Sequence, residues 1–481
     1  IVADMTSSGR PSDQTLDLAG LRLGSFVLAR RIGVGGMSEV WAGHDGETGT
    51  DVAVKLLFEP PRRRDEARRR TRADALFKEL HALARLDHPG ILPLLDFGTI
   101  DGATEARTGS ALLSGSPYLV TPRVAGGSLD HAREPESFEA LAKVLRALAA
   151  ALGHAHARGV VHRDLKPANV LLDIEVDGTA RPVLSDFGIS FAREEGPDAP
   201  SRAGTPSTMA PEQIRGVRDQ GPATDLYALG CVAYRLATGR PPFVGTTEEV
   251  LRGHLLSAPP ALAPLFDVPR AFEDWLRVLL EKRPSARFPS ARAAAHALDT
   301  LTVLPRIHAR SLATPSLASG GLDEPADAPA RRRREEPTLP ARVSDATTAS
   351  SVHGPRALED LVVTAAADRS IRASLFPGPP TDTDWRALEG AVSRFGVTSG
   401  SGLALFGLRT VPLFGREAAR DRLFAALATV ARQRTPRVVL VTGPLGVGAT
   451  RLGEWMLETA AELDLGATAR TACAASLRHG D

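Results

Sequence analysis

The sequence is poor in cysteine and in aromatic residues, and it has no long apolar run. Its 481 residues contain two cysteines and 5% aromatic residues. Two cysteines far apart in sequence argue against a disulfide framework, so we expect a reducing, cytoplasmic compartment. Without about 18 consecutive apolar residues no membrane span is predicted. The first residues, IVADMTSSGR, lack the basic and apolar regions of a signal peptide.

The chain also has no excess of charge of either sign, because its 58 basic residues nearly balance its 57 acidic residues. This balance predicts neither a nucleic-acid partner nor a membrane-surface partner. Lysine is scarce within the basic set. The chain has five lysines: Lys55, Lys78, Lys143, Lys166 and Lys282. An ammonium is a compact point charge and a guanidinium a broad fork, so these positions are candidates for a role that arginine does not fill.

Composition divides the chain into four parts. Residues 1–25 are polar and predicted to be a disordered tail. Residues 26–304 begin with alternating apolar strands, among them FVLARRI, EVWAGHD, ILPLLDFGTI and PYLVTPRV, and continue as helices, which predicts an α+β fold with two lobes. Residues 305–406, rich in Pro, Ala and Arg, have the composition of a disordered linker with possible local structure. Residues 407–481 return to an ordered pattern.

Several motifs follow one another in the second part. They are IGVGGMSEV at 32–40, VAVK ending at Lys55, HRDLKPAN at 162–169, DFG at 186–188 and APE at 210–212. In this order they resemble the protein-kinase signature set, and the resemblance covers about Phe26 to Leu304. The fold class that it implies is a bilobal protein kinase fold.

The resemblance implies an ATP site in the first lobe. The glycine-rich hairpin would cover the phosphates, with Ser38 in place of the usual third glycine. Lys55 would pair with the phosphates and with a helix carboxylate, for which Glu79 fits the family's offset better than Glu66. Thr121 would lie deepest behind the adenine, with the hinge at 122–124. The expected ATP-binding residues are Ile32, Gly33, Val34, Gly35, Gly36, Met37, Ser38, Glu39, Val40, Ala53, Lys55, Glu79, Thr121 and Val124.

The HRDLKPAN motif implies the catalytic residues. Asp164 would accept or orient the proton of the substrate hydroxyl, and Lys166 would stabilise the transferring phosphate. Asn169 would bind Mg²⁺, and Asp186 would supply the other metal ligand. A second DFG at 96–98 has no catalytic loop before it, so Asp96 is not assigned to the site. His162 is expected to be structural.

Further residues are implied for the substrate loop, regulation and structure. Thr205 would meet the substrate residue and touch Asp164. Arg163 would bind a phosphate on the loop between Asp186 and Glu212, for which Ser201 is the first choice among Ser190, Ser201, Thr205, Ser207 and Thr208. Glu212 is expected to form a buried ion pair with Arg287, and Asp225 to brace the catalytic loop.

The fourth part contains RVVLVTGPLGVGATRL, which predicts a buried strand, a glycine-rich loop and a helix. With the preceding VPLFGREAARDRL it resembles the start of an AAA-like α/β P-loop module. Ala449 replaces the phosphate-binding lysine between Gly448 and Thr450. Backbone N–H groups would still offer a phosphate site. The alternative is a glycine turn in a domain that binds no nucleotide.

The function predicted from the sequence is a serine/threonine protein kinase of regulatory signalling, with Mg²⁺ and ATP as cofactors and proteins as substrates. The Lys-Pro pair at 166–167 is typical of serine/threonine kinases. Regulatory partners of the C-terminal module are a further expectation. The alternative is a pseudokinase-like scaffold that gates this module, and the complete set of Lys55, Asp164, Asn169 and Asp186 favours the enzyme.

Overall fold

The computed structural model describes most of the first 301 residues and parts of the remainder. The described residues are 17–35, 38–58, 80, 82–187, 205–216, 220–301, 306–307, 385–386, 415–433, 435–442 and 448–465. The predicted linker therefore falls almost entirely outside them, as do the predicted site residues Gly36, Met37, Glu79 and Ser201.

The first lobe is a six-stranded antiparallel sheet with the strand order β1-β2-β3-β4-β6-β5. Its strands are β1 (Arg22–Leu23), β2 (Phe26–Gly35), β3 (Ser38–Asp45), β4 (Asp51–Leu57), β5 (Asp96–Thr99) and β6 (Pro117–Pro122). One face is buried by a cluster that includes Phe26, Trp41, Val54 and Val120. Alternation along the strands leaves the other face for a ligand site.

The ordered lobe begins earlier than the sequence predicted. Leu18, Leu21 and Leu23 are 4%, 6% and 4% exposed and belong to the same apolar cluster as Phe26. Strand β1 pairs with β2 through Leu23 and Phe26. Residues 17–25 are thus part of the lobe rather than a disordered tail, because burial of three leucines offsets the entropy of ordering this short segment.

The predicted strand ILPLLDFGTI is only partly a strand. Ile91 makes one bridge to Leu184, residues 92–95 have no regular structure, and the strand β5 starts at Asp96. The polar insert that follows contains the helix α1 (Gly102–Arg107), capped by the Asp101 carboxylate, which accepts a hydrogen bond from the Thr104 N–H. The helix-capping contact of Asp101 thus stabilises a helix in a segment whose apolar residues have no helical spacing.

The second lobe is helical, with a β-hairpin at its junction with the sheet. The hairpin is β7 (Val170–Ile174) and β8 (Ala180–Leu184), and a second small pair is β9 (Val268–Pro269) with β10 (Arg306–Ile307). The helices are α2 (Phe138–Ala157), α3 (Pro211–Ile214), α4 (Pro222–Thr238), α5 (Thr247–Leu256), α6 (Ala271–Leu279) and α7 (Ala291–Thr300). Helix α2 is predicted well, since FEALAKVLRALAAALGHAHA has helical spacing and Ser137 caps its first turn.

One apolar cluster joins α2, α4, α6 and α7. Phe138 and Phe272 meet edge to face at 5.3 Å between ring centroids, and Trp275 stacks on Phe272 at 5.6 Å. The Trp275 indole N–H donates to the carbonyl of Ala294, so this large side chain is buried without an unmet donor. This core is the rigid base on which the loops of the site lie.

Two helices are described near the C-terminus, α8 (Glu417–Gln433) and α9 (Ala449–Glu462). They pack through an apolar cluster that contains Leu423, Leu452 and Trp455. The predicted strand between them is wrong: residues 435–442 have no regular structure, and Val438 and Leu440 are 98% and 85% exposed. A strand needs flanking strands for its hydrogen bonds and covering elements for its burial, and the described part of the C-terminal region supplies no flanking strand.

Gly448, directly before α9, has φ +84, and the helix starts at Ala449 as the glycine-rich sequence predicted. The remainder of the loop, from Gly443, lies outside the described residues. Among the helices that the structure describes, none has the length and apolarity needed to cross a bilayer.

Candidate active site

The glycine-rich hairpin is formed by β2 and β3. Their register pairs Gly33 with Val40 and Gly35 with Ser38. A side chain at Gly35 would place its Cβ 3.0 Å from the Ser38 hydroxyl oxygen, which is tighter than ordinary contact. A side chain at Gly35 would therefore require the Ser38 hydroxyl to move by a few tenths of an ångström. The apolar side chain of Val34, near the tip of the hairpin, is 69% exposed.

Strand β4 carries Lys55 on the open face of the sheet. Its alternating pattern buries Val52, Val54 and Leu56 and leaves Ala53 and Lys55 half-buried on the other side. Directly opposite Lys55 is Val40 of β3, and opposite Ala53 is Thr121 of β6. Cross-strand partners share a face. The structure thus brings four predicted ATP-binding residues to one surface.

The Lys55 ammonium forms an ion pair with Asp186, at 2.7 Å between Nζ and Oδ1. The sequence also predicted a pair with Glu79, which lies outside the described residues. Thr121 donates its hydroxyl to the carbonyl of Ala53 at 3.4 Å. Glu39, another predicted ATP-binding residue, accepts instead from the Trp41 indole N–H at 3.0 Å.

The catalytic loop holds Asp164 in a defined orientation. Its Oδ2 atom accepts hydrogen bonds from Lys166 Nζ at 2.8 Å and from Asn169 Nδ2 at 3.0 Å. Asn169 Nδ2 also donates to the Asp164 carbonyl at 2.8 Å. The other carboxylate oxygen, Oδ1, is buried and has no hydrogen-bond partner among the described residues. Asp164 therefore presents one occupied acceptor and one unoccupied acceptor.

Asp225 of α4 braces the backbone of this loop. Its carboxylate accepts from the backbone N–H groups of His162 and Arg163, both at 2.7 Å. Burial disfavours its charge, yet the hydrogen bond from His156 Nε2 at 2.8 Å and those N–H groups outweigh burial and lower the pKa of Asp225. No sequence motif pointed to His156, which lies far from Asp225 along the chain.

The brace holds an uncommon backbone conformation, since Arg163 has φ +63. The Arg163 carbonyl accepts from Gln213 Nε2 at 2.8 Å, while its Nε is buried with no partner among the described residues. His162 is fully buried, and burial lowers its pKa, so its ring is neutral at physiological pH. Its Nε2 contacts the carbonyl of Ser185 at 3.0 Å, a structural role as expected for this residue.

Asp186 lies two residues past strand β8, with φ +54. Ser185 before it donates both its N–H and its hydroxyl to the carbonyl of Asn169, at 2.9 and 3.1 Å. Phe187 after it packs on the His162 ring at 4.6 Å. These contacts fix the two predicted metal ligands on adjacent segments. The second DFG is separate from them, because Asp96 belongs to strand β5 and pairs with β6.

Oxygen atoms suitable for a divalent cation are present in this arrangement. Asn169 turns its amide nitrogen to Asp164, which leaves its amide oxygen for another partner. Asp186 contributes a carboxylate whose Oδ1 faces Lys55. Within the described ranges no group of three or more His, Cys, Asp or Glu side chains forms a metal site by itself. Mg²⁺ in nucleotide enzymes is typically held by one or two protein oxygens together with phosphates, so these residues fit that mode of binding.

Glu212 and Arg287 form a bidentate, buried ion pair. Arg287 Nη1 and Nη2 lie 2.7 and 2.8 Å from Glu212 Oε1 and Oε2. Burial works against the carboxylate, but hydrogen bonds from Arg287 and Thr224 outweigh it and hold the pKa of Glu212 below its ordinary value. This pair ties the APE motif to the loop before α7.

A cavity of about 240 Å³ lies beside the catalytic loop. Lys166 and the predicted substrate-loop residue Thr205 both line it, together with Arg235 of α4. The structure shows no hydrogen bond between Thr205 and Asp164 in the described region. Ser201, the expected phosphorylation site, lies outside that region. The cavity therefore lies next to two predicted site residues, Lys166 and Thr205.

A family model for the protein kinase domain matches residues 26–298, more than half of the chain. The chain therefore belongs to the protein kinase family, and the two-lobed structure is the protein kinase fold. This match ends before residues 407–481, where the sequence predicted a P-loop module.

Three relatives are named serine/threonine-protein kinases. The DNA damage-responsive kinase RqkA of Deinococcus radiodurans is 35% identical over 68% of this chain and 45% of its own length. PknA of Mycobacterium tuberculosis is 35% identical over 57% of this chain and 61% of its own. Pkn1 of Myxococcus xanthus is 37% identical over 59% of this chain and 39% of its own length. The chain thus spans roughly half the length of these relatives.

Among solved structures, the PknI kinase domain of Mycobacterium tuberculosis is 28% identical with a TM-score of 0.44. The match covers 59% of this chain and 98% of that one.

Proposed function

We propose that the chain is a serine/threonine protein kinase that transfers the γ-phosphate of ATP to hydroxyl groups of protein substrates. The observation that carries the proposal is the Asp164 carboxylate. One of its oxygens is held by Lys166 and Asn169, and the other is buried with no partner among the residues that the structure describes. A buried acceptor without a donor is costly unless a ligand supplies one, and a substrate hydroxyl is such a donor.

The remaining residues of the site have roles that fit phosphoryl transfer. Lys55 would contact the ATP phosphates under the hairpin of β2 and β3, and the open sheet face with Ala53 and Thr121 would receive the adenine. Asn169 and Asp186 would hold Mg²⁺, which when bound neutralises charge on the phosphates. The hinge residue Val124 follows β6 at the edge of this face. Most of the rate enhancement would come from positioning and charge stabilisation.

The activity is tested with purified full-length chain, Mg-ATP labelled in the γ-phosphate and a generic protein substrate. We expect label on serine or threonine after acid hydrolysis of the substrate. Label on tyrosine would contradict the assigned specificity. Normal ATP binding without transfer would support the alternative, a scaffold that gates the C-terminal module.

A first prediction concerns Lys166, one of the five lysines. Its ammonium lies 2.8 Å from Asp164 Oδ2 and at the cavity, where a point charge fits beside a transferring phosphate and a wider guanidinium does not. We expect Lys166→Arg to lower kcat by roughly 10- to 100-fold. The matched control is Lys143→Arg on the exposed side of α2, which should keep full activity. Equal activity of both variants would refute the role of Lys166.

A second prediction concerns Ser201 and regulation. The Arg163 guanidinium has a buried Nε without a partner in the described part, next to the catalytic Asp164. A phosphate on Ser201 would supply three acceptor oxygens to this guanidinium. We therefore expect autophosphorylation at Ser201, and Ser201→Ala should lower activity about fivefold or more. Purified Ser201→Ala with unchanged activity would contradict this, and Ser257→Ala at an exposed position is the control.

A further inference from the structure

Helix α9 lies against helix α2 of the kinase domain, more than 300 residues away in sequence. Its apolar side is closed off, because Thr459 and Ala460 are each 5% exposed and Leu463, just after the helix, is fully buried. The contact therefore has the burial expected of an interface rather than of a chance encounter between two surfaces.

The centre of this contact is the carboxylate of Glu462. Its Oε2 accepts from Arg158 Nη1 at 3.0 Å, and its Oε1 lies 3.4 Å from His154 Nδ1. Burial opposes the charge of Glu462, but the contacts with His154 and Arg158 outweigh burial and lower its pKa to about 2. The side chain is thus an ionised, nearly enclosed group, and the hydrogen-bond partners described for it are His154 of α2 and Arg158, directly after α2.

Two further acidic side chains of the same segment contact other parts of the kinase domain. Glu458, one turn before Glu462, accepts a hydrogen bond from Arg85 Nη2 at 3.0 Å, and its carboxylate lies 3.6 Å from Arg158 Nη2. Asp464 accepts from the Ser290 hydroxyl at 3.0 Å. Ser290 precedes α7, and Arg85 lies in the segment that follows Leu80 of the first lobe. One acidic segment, α9 with the two residues after it, therefore meets three separate elements of the kinase domain.

We propose that Arg85, His154, Arg158 and Ser290 form a docking site for an acidic helix, and that its occupant is the chain's own helix α9. The argument for this occupant is charge complementarity. Carboxylates at a spacing of four residues face a basic surface, and a third carboxylate follows two residues later. The docking site lies apart from Asp164 and Lys55 and does not depend on phosphoryl transfer.

The site has a physical consequence for the kinase domain. Arg85 is continuous in sequence with the segment of Glu79, whereas Arg158 and His154 belong to the second lobe. Leu83 and Leu86, on either side of Arg85, pack in the apolar cluster of the second lobe, so a helix bound to both arginines adds ionic contacts to a junction that is already packed. The C-terminal part of the chain is thereby joined to the kinase domain by ionic contacts that a charge reversal removes.

The docking is tested in the full chain by a disulfide between the paired positions Ser290→Cys and Asp464→Cys, with Cys473→Ser to remove a competing thiol. The remaining native cysteine, Cys231, is buried. After oxidation, peptide mass spectrometry should find the cross-link within one chain. Adding Glu462→Arg should reduce its yield at least about tenfold, because one partner of a buried ion pair then meets a like charge. Adding Lys143→Glu, a reversal on the exposed side of α2, should leave the yield unchanged.

Two outcomes overturn the proposal. A yield that Glu462→Arg does not lower means that these ionic contacts do not hold the helix. Cross-links between differently tagged copies mean that α9 docks on a second chain and not on its own. Because a cysteine at Ser290 weakens the cap of α7, hydrogen exchange on chains with native Ser290 gives an independent reading. There we expect Arg158→Glu or Glu462→Arg to speed exchange in α9 at least about tenfold, and their combination to restore part of the protection.

Discussion

Replacing Asp164 by asparagine is expected to reduce kcat by about 10²- to 10⁴-fold, the usual contribution of a positioned acid–base group. The change removes the negative charge and keeps the shape of the side chain. Asn169 remains tethered, because its amide also donates to the Asp164 carbonyl at 2.8 Å. The loss is therefore attributable to the missing acceptor for the substrate proton rather than to collapse of the loop.

The measurement is steady-state phosphoryl transfer with ATP and protein substrate varied in turn. We expect KM for ATP to change by less than about threefold, since an interaction made only in the transition state lowers kcat and kcat/KM together. The control is Asp96→Asn, the same substitution in strand β5 away from the catalytic loop, and it should behave as wild type. Asp164→Asn with more than about one tenth of wild-type kcat would exclude Asp164 as the proton acceptor.

The catalytic loop was predictable because its residues are close in sequence. Asp164, Lys166 and Asn169 lie within six positions, and their mutual contacts follow from one turn of backbone. Pairs remote in sequence, such as Glu212 with Arg287, entered the prediction only through the family resemblance. His156 of helix α2 was not predicted to be part of the site, because it contacts Asp225 only in the folded chain and belongs to no motif.

Which apolar residues are buried was less predictable from the sequence than which residues form the catalytic loop. The polar composition of the first residues predicted a disordered tail, although Leu18, Leu21 and Leu23 pack at the edge of the sheet. Conversely, the apolar run around Val438 and Leu440 is exposed, since a strand is buried only where neighbours cover it. The sequence also could not predict that Asp164 Oδ1 lacks a partner among the described residues, because this depends on which donors the fold brings near.

The second large effect is expected at the ion pair of Glu212 and Arg287. Arg287 is enclosed: besides Glu212 it donates to the carbonyls of Ala223 and Glu281, at 2.7 and 2.8 Å, and its guanidinium lies 4.8 Å from the Tyr227 ring. Glu212→Gln leaves this cation buried without its counter-charge. Breaking one partner of such a pair costs about 3–5 kcal/mol.

Thermal unfolding of the full chain, followed by circular dichroism at neutral pH, should show Glu212→Gln unfolding about 10 °C below wild type. Glu248→Gln is the matched control, because Glu248 forms an exposed pair with Arg252 on helix α5, where less than about 1 kcal/mol is expected. The stabilisation by Glu212 is complete above its ordinary carboxyl pKa and is lost as the pH falls through its lowered folded pKa. The difference between wild type and Glu212→Gln should therefore narrow in acid. Equal melting temperatures of Glu212→Gln and Glu248→Gln at neutral pH would show that this pair does not stabilise the second lobe.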